Sequence, residues 1–425
     1  MIPKLYKHQE KIIKEGKLKC GLFLGTGASK TRTALEMAEG ETLIICPKQQ
    51  RDDKTWEREN EKWGTKVDLK VLSKEDVRKL WDTIPACTTL IIDECHNNLG
   101  ITPMYVQKNK IQRPKTSQIF QATLDYVIKH KPKRMYLLSA TPVPKPMSMW
   151  GIGVLFGQKW DFGAFRSTYY TEIRMGGVRR IWMPKKTDEA KQRLASLVQK
   201  FGYTGCLNDF FDVPEQTHKT VEISLTGEQK KAINEMLILE ADPLVRRSRL
   251  RTIENGLLYG KKIEELDGKV DLMTNQTILY KNNKIDYIVE RAHEFPKLLI
   301  FANYTGQIEE IAKVLRAEGY KVSILNGATK DRSFIKKVND SPEPHIIIAQ
   351  SSISSGYELP TFPCVIYASK SWRYVDYEQS VGRVLRSNHL KKNLYIHLVV
   401  EGCDKDCHEA IMSGQDFQEK LTLNI

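Results

Sequence analysis

Two short segments of this 425-residue chain combine residue types that together handle a phosphate anion. The first is LGTGASKT, Leu24 to Thr31. Gly25 and Gly27 permit a tight turn, and the backbone N–H groups of Gly25, Thr26, Gly27, Ala28 and Ser29, lying between an apolar run and a helix start, would face an anion. Lys30 would hold the β- and γ-phosphates of a nucleotide, and Thr31 would offer its hydroxyl to Mg²⁺. The strict pattern has glycine directly before the lysine and another at its first position; Ser29 and Leu24 stand there instead. The second segment is Asp93, Glu94, Cys95 and His96, directly after the apolar run Thr89 to Ile92. Two carboxylates at the C-terminal edge of a strand stand where α/β sheets bind ligands. Asp93 can hold a metal's water shell, and Glu94 can orient and deprotonate an attacking water.

The elements needed to position these groups are legible around them. GLFLG (Gly21 to Gly25), TLIICP (Thr42 to Pro47), TLIIDE (Thr89 to Glu94) and RMYLLSATP (Arg134 to Pro142) read as buried parallel strands. KTRTALEMAEG and QATLDYVIKH have helical spacing between them, which gives the strand–helix–strand grammar of a doubly wound sheet. The grammar restarts with KLLIFANY, YKVSILNG, HIIIAQSS, CVIYAS and LYIHLVV, which predicts a second α/β lobe. The stretch between, roughly 156 to 284, has helical spacing with basic runs such as RRIWMPKK and RRSRLR. The expected organisation is therefore α/β: lobe one over 1–215, a helical insertion over 216–284, and lobe two over 285–425.

Composition narrows the partner class. Lys and Arg number 66 against 52 Asp and Glu, a formal net charge of +14, which favours a polyanion, with nucleic acid foremost. No apolar stretch approaches the ~20 residues of a membrane span, and the start lacks a signal-peptide core, so an intracellular, cytoplasmic protein is expected. Cys20, Cys46, Cys87 and Cys95 lie in or beside apolar runs as reduced thiols. Cys403, Cys407 and His408 supply three metal-type ligands without a partner pair and read as a solvated turn and helix start.

LGTGASKT, DECH, SATP (Ser139 to Pro142) and QSVGRVLR (Gln379 to Arg386), in that order, resemble motifs I, II, III and VI of superfamily 2 helicases. The resemblance implies two RecA-like lobes, ATP and Mg²⁺, with Thr31 and Asp93 at the metal. LYKHQ is similar to that family's Q motif, which implies that Gln9 reads adenine with Tyr6 packed nearby. It also implies that Ser139, Ala140, Thr141 and Gly356 couple the sites, that Gln379 faces the nucleotide, and that Arg383 and Arg386 meet the γ-phosphate when the lobes close. ICPKQQRDDKTWERENEKW, KTSQIFQATLDYV, VPEQTHKTVEISLTGEQKKAI and KSWRYVDYEQSVGRVLR are similar to the Swi/Snf-type translocases. Ser29, SATP in place of Gly-Thr-Pro, and a short interlobe region depart from that branch. Compact relatives, including phage-borne ones, are replication, repair or recombination motors on branched DNA.

By the same resemblance, strand contacts are expected from Lys48, Lys115, Ser117, Thr329, Lys330, Ser351 and Ser352, which can grip phosphates without reading bases. Arg246, Arg247, Arg249 and Arg251 form the densest basic cluster and are expected at the DNA as well. The implied activity is that of a monomeric, DNA-stimulated ATPase that remodels or unwinds branched duplexes. An RNA helicase and an inactive nucleic-acid clamp remain as alternatives.

Overall fold

A computed structural model of the chain describes all residues except 1, 109–110, 176–178, 260–263, 267–268, 272–276, 330, 354–356, 387–389 and 415–425. It divides into two compact units, Met1–Asp212 and Val213–Ile425.

The first unit runs α1 (Lys7–Glu15), β1 (Lys19–Leu24), α2 (Lys30–Met37), β2 (Thr42–Cys46), α3 (Lys48–Asp52), α4 (Thr55–Trp63), β3 (Leu69–Ser73), α5 (Lys74–Leu80), β4 (Thr89–Ile92), β5 (Ile101–Lys108), β6 (Ile111–Thr116), α6 (Gln118–His130), β7 (Arg134–Leu138), α7 (Pro146–Leu155), α8 (Phe162–Tyr169), β8 (Tyr170–Met175), β9 (Arg179–Pro184), α9 (Asp188–Phe201) and β10 (Gly202–Gly205). Six strands form one parallel sheet in the order β10-β1-β7-β4-β2-β3. Its central strands are continuous apolar runs because helices cover both faces, and Leu22, Ile44, Ile91 and Leu137 have no exposed surface. The antiparallel hairpins β5–β6 and β8–β9 stand apart from this sheet.

The second unit runs β11 (Thr217–Glu222), α10 (Gly227–Leu239), α11 (Pro243–Glu254), β12 (Leu257–Tyr259), β13 (Glu264–Leu266), β14 (Lys269–Asp271), β15 (Thr277–Leu279), α12 (Asn283–Ala292), β16 (Lys297–Ala302), α13 (Thr305–Ala317), β17 (Val322–Leu325), α14 (Phe334–Asp340), β18 (His345–Gln350), β19 (Cys364–Tyr367), α15 (Tyr374–Val381), β20 (Leu394–Val399) and α16 (Cys403–Met412). Its six-stranded parallel sheet has the order β11-β20-β19-β16-β18-β17. The expected architecture of two RecA-like doubly wound lobes is the observed one.

The region between the lobes differs from expectation. The stretch 216–284 is not a separate helical insertion: β11 pairs along its whole length with β20 and so belongs to the second sheet, and among the described residues α10 and α11 are the helices that lie wholly within it. RRIWMPKK, read as helical, is largely strand β9, because its residues find a partner in 170–175. The segment from Cys403 is a helix start as expected, yet it is not solvated: Cys403 and Cys407 are buried.

Candidate nucleotide site and the second-unit motifs

In the first sheet β7 lies between β1 and β4, so the segments leaving the C-terminal ends of these three strands are neighbours. They are the loop Gly25–Ser29, Ser139–Thr141, and Asp93–Glu94. The loop is tightly built. Gly25 N donates to Gly205 O at 2.7 Å, and a Cβ on Gly25 would lie 3.2 Å from Cys206 Cα. Gly27 has φ 81°, and buried Ala28 donates back to Gly25 O at 3.2 Å. Ser29 caps α2 in the left-handed region, φ 57° and ψ 37°. This explains the glycine preference at that position: the Cβ is accommodated by a left-handed turn residue rather than by a widened loop. Lys30 Nζ, at the first position of α2, donates to the carbonyls of Leu24 at 2.8 Å and Gly25 at 3.1 Å. Thr26 and Thr31 are half-buried beside it.

Helix α1 braces this loop. Gln9 is fully buried; its Oε1 accepts from Tyr6 N at 3.0 Å, and its Nε2 donates to Thr33 Oγ1 at 3.2 Å and Ser29 O at 3.4 Å. His8 Nε2 lies 3.3 Å from Ala28 O, and its ring stacks on Phe210 at 4.1 Å, while Tyr6 meets Phe211 edge-on at 4.8 Å. The side chain of Gln9 thus holds the loop in place here.

Asp93 is 7% exposed, and its Oδ1 accepts from Glu94 N at 2.8 Å. Burial, reinforced by the Glu94 charge, pushes its carboxyl up to about 6 against the pull of Lys30 and Lys74. Glu94 has φ 45°, and its buried Oε2 accepts no hydrogen bond among the described residues, lying 3.4 Å from His96 Nδ1. His96 Nδ1 is in turn 2.9 Å from Ser139 Oγ, which accepts from Thr141 N at 3.0 Å, while Ala140 is half-buried between them. Two crowded carboxylates, one of them raised by burial, beside a lysine turned onto carbonyls, form an oxygen donor set suited to Mg²⁺ and a phosphate. Thr31 and Asp93 are the residues that would hold the metal.

Lys74 escaped the sequence reading. It is buried at the start of α5, donates to Glu94 O at 3.3 Å, and loses basicity to burial. The available signal was SKED: Ser73 Oγ accepts from Asp76 N at 3.1 Å and Ser73 N donates to Asp76, a capping box that opens a helix at a strand's end.

In the second unit, Gln379 and Arg383 are buried, and Arg383 donates to Gln379 O and Tyr357 O, both at 2.9 Å. Arg386 lies 3.4 Å from Glu358. Residues 280–388 match the family model "Helicase conserved C-terminal domain". The second unit therefore carries a helicase C-terminal domain.

Other likenesses are fainter. Over 132 residues the chain is 23% identical to the pre-mRNA-splicing ATP-dependent RNA helicase prp28 of Schizosaccharomyces pombe, covering 30% of this chain and 19% of that protein, so it spans about a fifth of that relative's length. Among solved structures it is similar to the Sulfolobus solfataricus SWI2/SNF2 ATPase core in complex with dsDNA (17% identity, 97% of this chain and 91% of that chain, TM-score 0.39). It is also similar to the C-terminal part of the Fun30 ATPase domain (17% identity, 46% and 88%, TM-score 0.38). No described helix is long and apolar enough to cross a membrane.

Within the helicase C-terminal domain, Ser351 is buried with its hydroxyl on Ser369 O, and Ser352 is exposed beside it. Thr329 Oγ1 is spent on Ile324 O and Asn326, both at 3.0 Å. Lys330 and Gly356 lie outside the described residues. In the first unit Lys48 and Lys115 are exposed, whereas Ser117 Oγ caps α6 by accepting from Phe120 N at 3.2 Å.

The arginines of the basic cluster are held in different ways. Arg251 has no exposed surface; it donates to Lys370 O and lies over the Trp372 ring at 4.8 Å. Arg247 pairs with Asp406 at 2.6 Å, and Arg249 with Glu240 at 2.9 Å. Helix α11 packs on α16, whose Asp404 and Asp406 draw Arg251 and Arg247 inward, and among the described residues Arg246 pairs with no such carboxylate.

Proposed function

We propose that this chain is a DNA-dependent ATPase that uses ATP hydrolysis to move along DNA and to remodel or unwind branched duplexes in replication, repair or recombination. The adjacency of Lys30, Ser139 and Asp93–Glu94 on three neighbouring strand ends carries this reading. Bound Mg²⁺ supplies charge neutralisation for phosphoryl transfer. Lys30 leaves the Leu24 and Gly25 carbonyls to hold the transferred phosphate, and the loop N–H groups receive the others. Glu94, whose Oε2 has no hydrogen-bond donor among the described residues, orients the attacking water and takes its proton. The His96–Ser139 contact relays the state of this site to the strand beside it. Of the second unit's arginines, Arg386, paired with the exposed Glu358, and Arg383 are the ones suited to neutralising charge on a phosphate. The net charge of +14 supports a nucleic-acid track, gripped through Lys48, Lys115 and Ser352 without base reading.

The test is ATP turnover with single-stranded, duplex, forked and four-way DNA, and with RNA. Stimulation greatest with branched DNA is expected. Stimulation by RNA alone would establish the RNA-helicase reading that the likeness to a splicing helicase favours. No turnover with any of them would leave a nucleic-acid clamp.

A further inference from the structure

We propose that Lys74 is a positioning residue for phosphoryl transfer: its buried ammonium holds the Glu94 peptide at the angle that aims the Glu94 carboxylate, and it ties that peptide to helix α3. The proposal rests on the ATP-driven DNA-motor reading above.

Glu94 stands in the left-handed region at φ 45° and ψ 52°, which a residue with a side chain keeps only when its surroundings fix it there. Its peptide groups are held on both sides. Glu94 N donates to Asp93 Oδ1 at 2.8 Å, while Glu94 O accepts from Asn97 N at 3.0 Å and from Lys74 Nζ at 3.3 Å. Asp93 and Asn97 belong to the same turn and move with it. Lys74 comes from another strand end, so of these three partners it is the one that sets the turn against the rest of the sheet. In the sheet β2 lies between β4 and β3, so Lys74 reaches across the end of β2. Two strand spacings amount to roughly 10 Å, a span that calls for a long side chain. At 6% exposure the ammonium has left water, and the nearby charges of Glu94 and Asp93 offset the cost of burying it.

The lysine is itself anchored. It opens α5 directly after Ser73, where Ser73 N donates to Asp76 Oδ2 at 2.8 Å and Asp76 N donates to Ser73 Oγ at 3.1 Å. Arg51 of α3 donates to Asp76 and, at 3.4 Å, to Ser73 Oγ. Helix α3 begins at Lys48, one of the residues proposed above to grip DNA phosphates. Arg51, the Ser73–Asp76 cap, Lys74 and Glu94 thus form one series of contacts from that grip to the carboxylate that orients water. DNA held at Lys48 bears on Glu94 through this series without touching the nucleotide.

The experiment compares the full chain with K74M, K74R, E94Q, K74M/E94Q and R51Q. It measures basal and DNA-stimulated kcat, KM, affinity for a non-hydrolysable ATP analogue, and the melting midpoint without nucleotide. K74M should lower both kcat values at least about tenfold, with KM and analogue affinity within about threefold of the parent, because ground-state binding does not depend on the aim of Glu94. K74R, which still reaches across β2 and donates, should recover most of the loss. In the E94Q background K74M should cause no further loss, since a residue that acts through Glu94 then has nothing left to aim. R51Q should lower the ratio of DNA-stimulated to basal kcat several-fold. If the melts show K74M unfolded, K74Q, too short to span β2, takes its place. Unchanged kcat in the folded variant, or a loss undiminished in the E94Q background, would overturn the positioning role. A parent's ratio in R51Q would overturn the tie to α3. A parent that turns over ATP without responding to DNA would overturn the motor reading and that tie while the comparison with E94Q still decides the role of Lys74, and a parent without turnover would overturn all three.

Discussion

His96 Nδ1 sits 2.9 Å from Ser139 Oγ, with both side chains buried, so a side-chain contact joins the strand end carrying the acidic pair to the neighbouring strand end. Ser139→Ala should remove it at a stability cost of about 1 kcal/mol. Basal turnover should stay within a few-fold of the parent while DNA-stimulated kcat falls about tenfold, as steady-state assays with and without DNA will measure. Equal loss of both rates would show that the contact serves only to hold the site.

Lys30→Ala should lower ATP turnover at least a hundredfold or so and abolish tight nucleotide binding, because the phosphate loses its countercharge. Glu94→Gln should lower turnover comparably yet keep binding. Nucleotide titration beside turnover separates the two, and normal hydrolysis by Lys30→Ala would refute the assigned loop.

Ser29→Gly should stabilise the protein by up to about 1 kcal/mol, since a non-glycine residue in the left-handed region carries roughly 1–2 kcal/mol of strain and glycine adds unfolded-state entropy that returns part of it. Denaturant melts should show a raised midpoint, with nucleotide affinity changed only modestly. A destabilised variant would mean that the serine side chain makes contacts worth more than the strain.

Asp93 ties stability to pH. Its carboxyl, raised to about 6 by burial, is above the ordinary value, so the native state keeps its full stability below about pH 4 and loses the contribution as pH rises through 6. Asp93→Asn should therefore raise nucleotide-free stability at pH 8 by on the order of 2 kcal/mol, with little gain at pH 4, and should abolish turnover. Thermal melts across that range check the sign; a gain confined to acid pH would contradict it.

Arg251→Ala should destabilise the second unit by about 3–5 kcal/mol, because it strips a countercharge from buried Asp404, which also holds buried Lys284 at 2.8 Å. Arg246→Ala should be nearly neutral in the same denaturant melts. If both variants unfold alike, the buried network contributes little.

The sequence determined the two sheets and the chemistry of the strand ends. Continuous apolar runs such as TLII can be satisfied only as buried parallel strands, and a lysine, two carboxylates and a hydroxyl following such runs emerge at one edge of a sheet whatever the rest of the chain does. Partners far along the chain decided the rest. Arg251 and Arg246 are the same residue type on one helix, and only the docking of α16, with Asp404 some 150 residues away in sequence, puts one in the core and leaves the other half-buried. RRIWMPKK has enough alternation for a strand and enough charge for a helix face, and pairing with 170–175 chose the strand. Lys74 looks like an ordinary surface residue until α5 packs it beside the acidic pair. Burial and charge pairing depend on which faces meet, and that is set by tertiary packing rather than by local residue type.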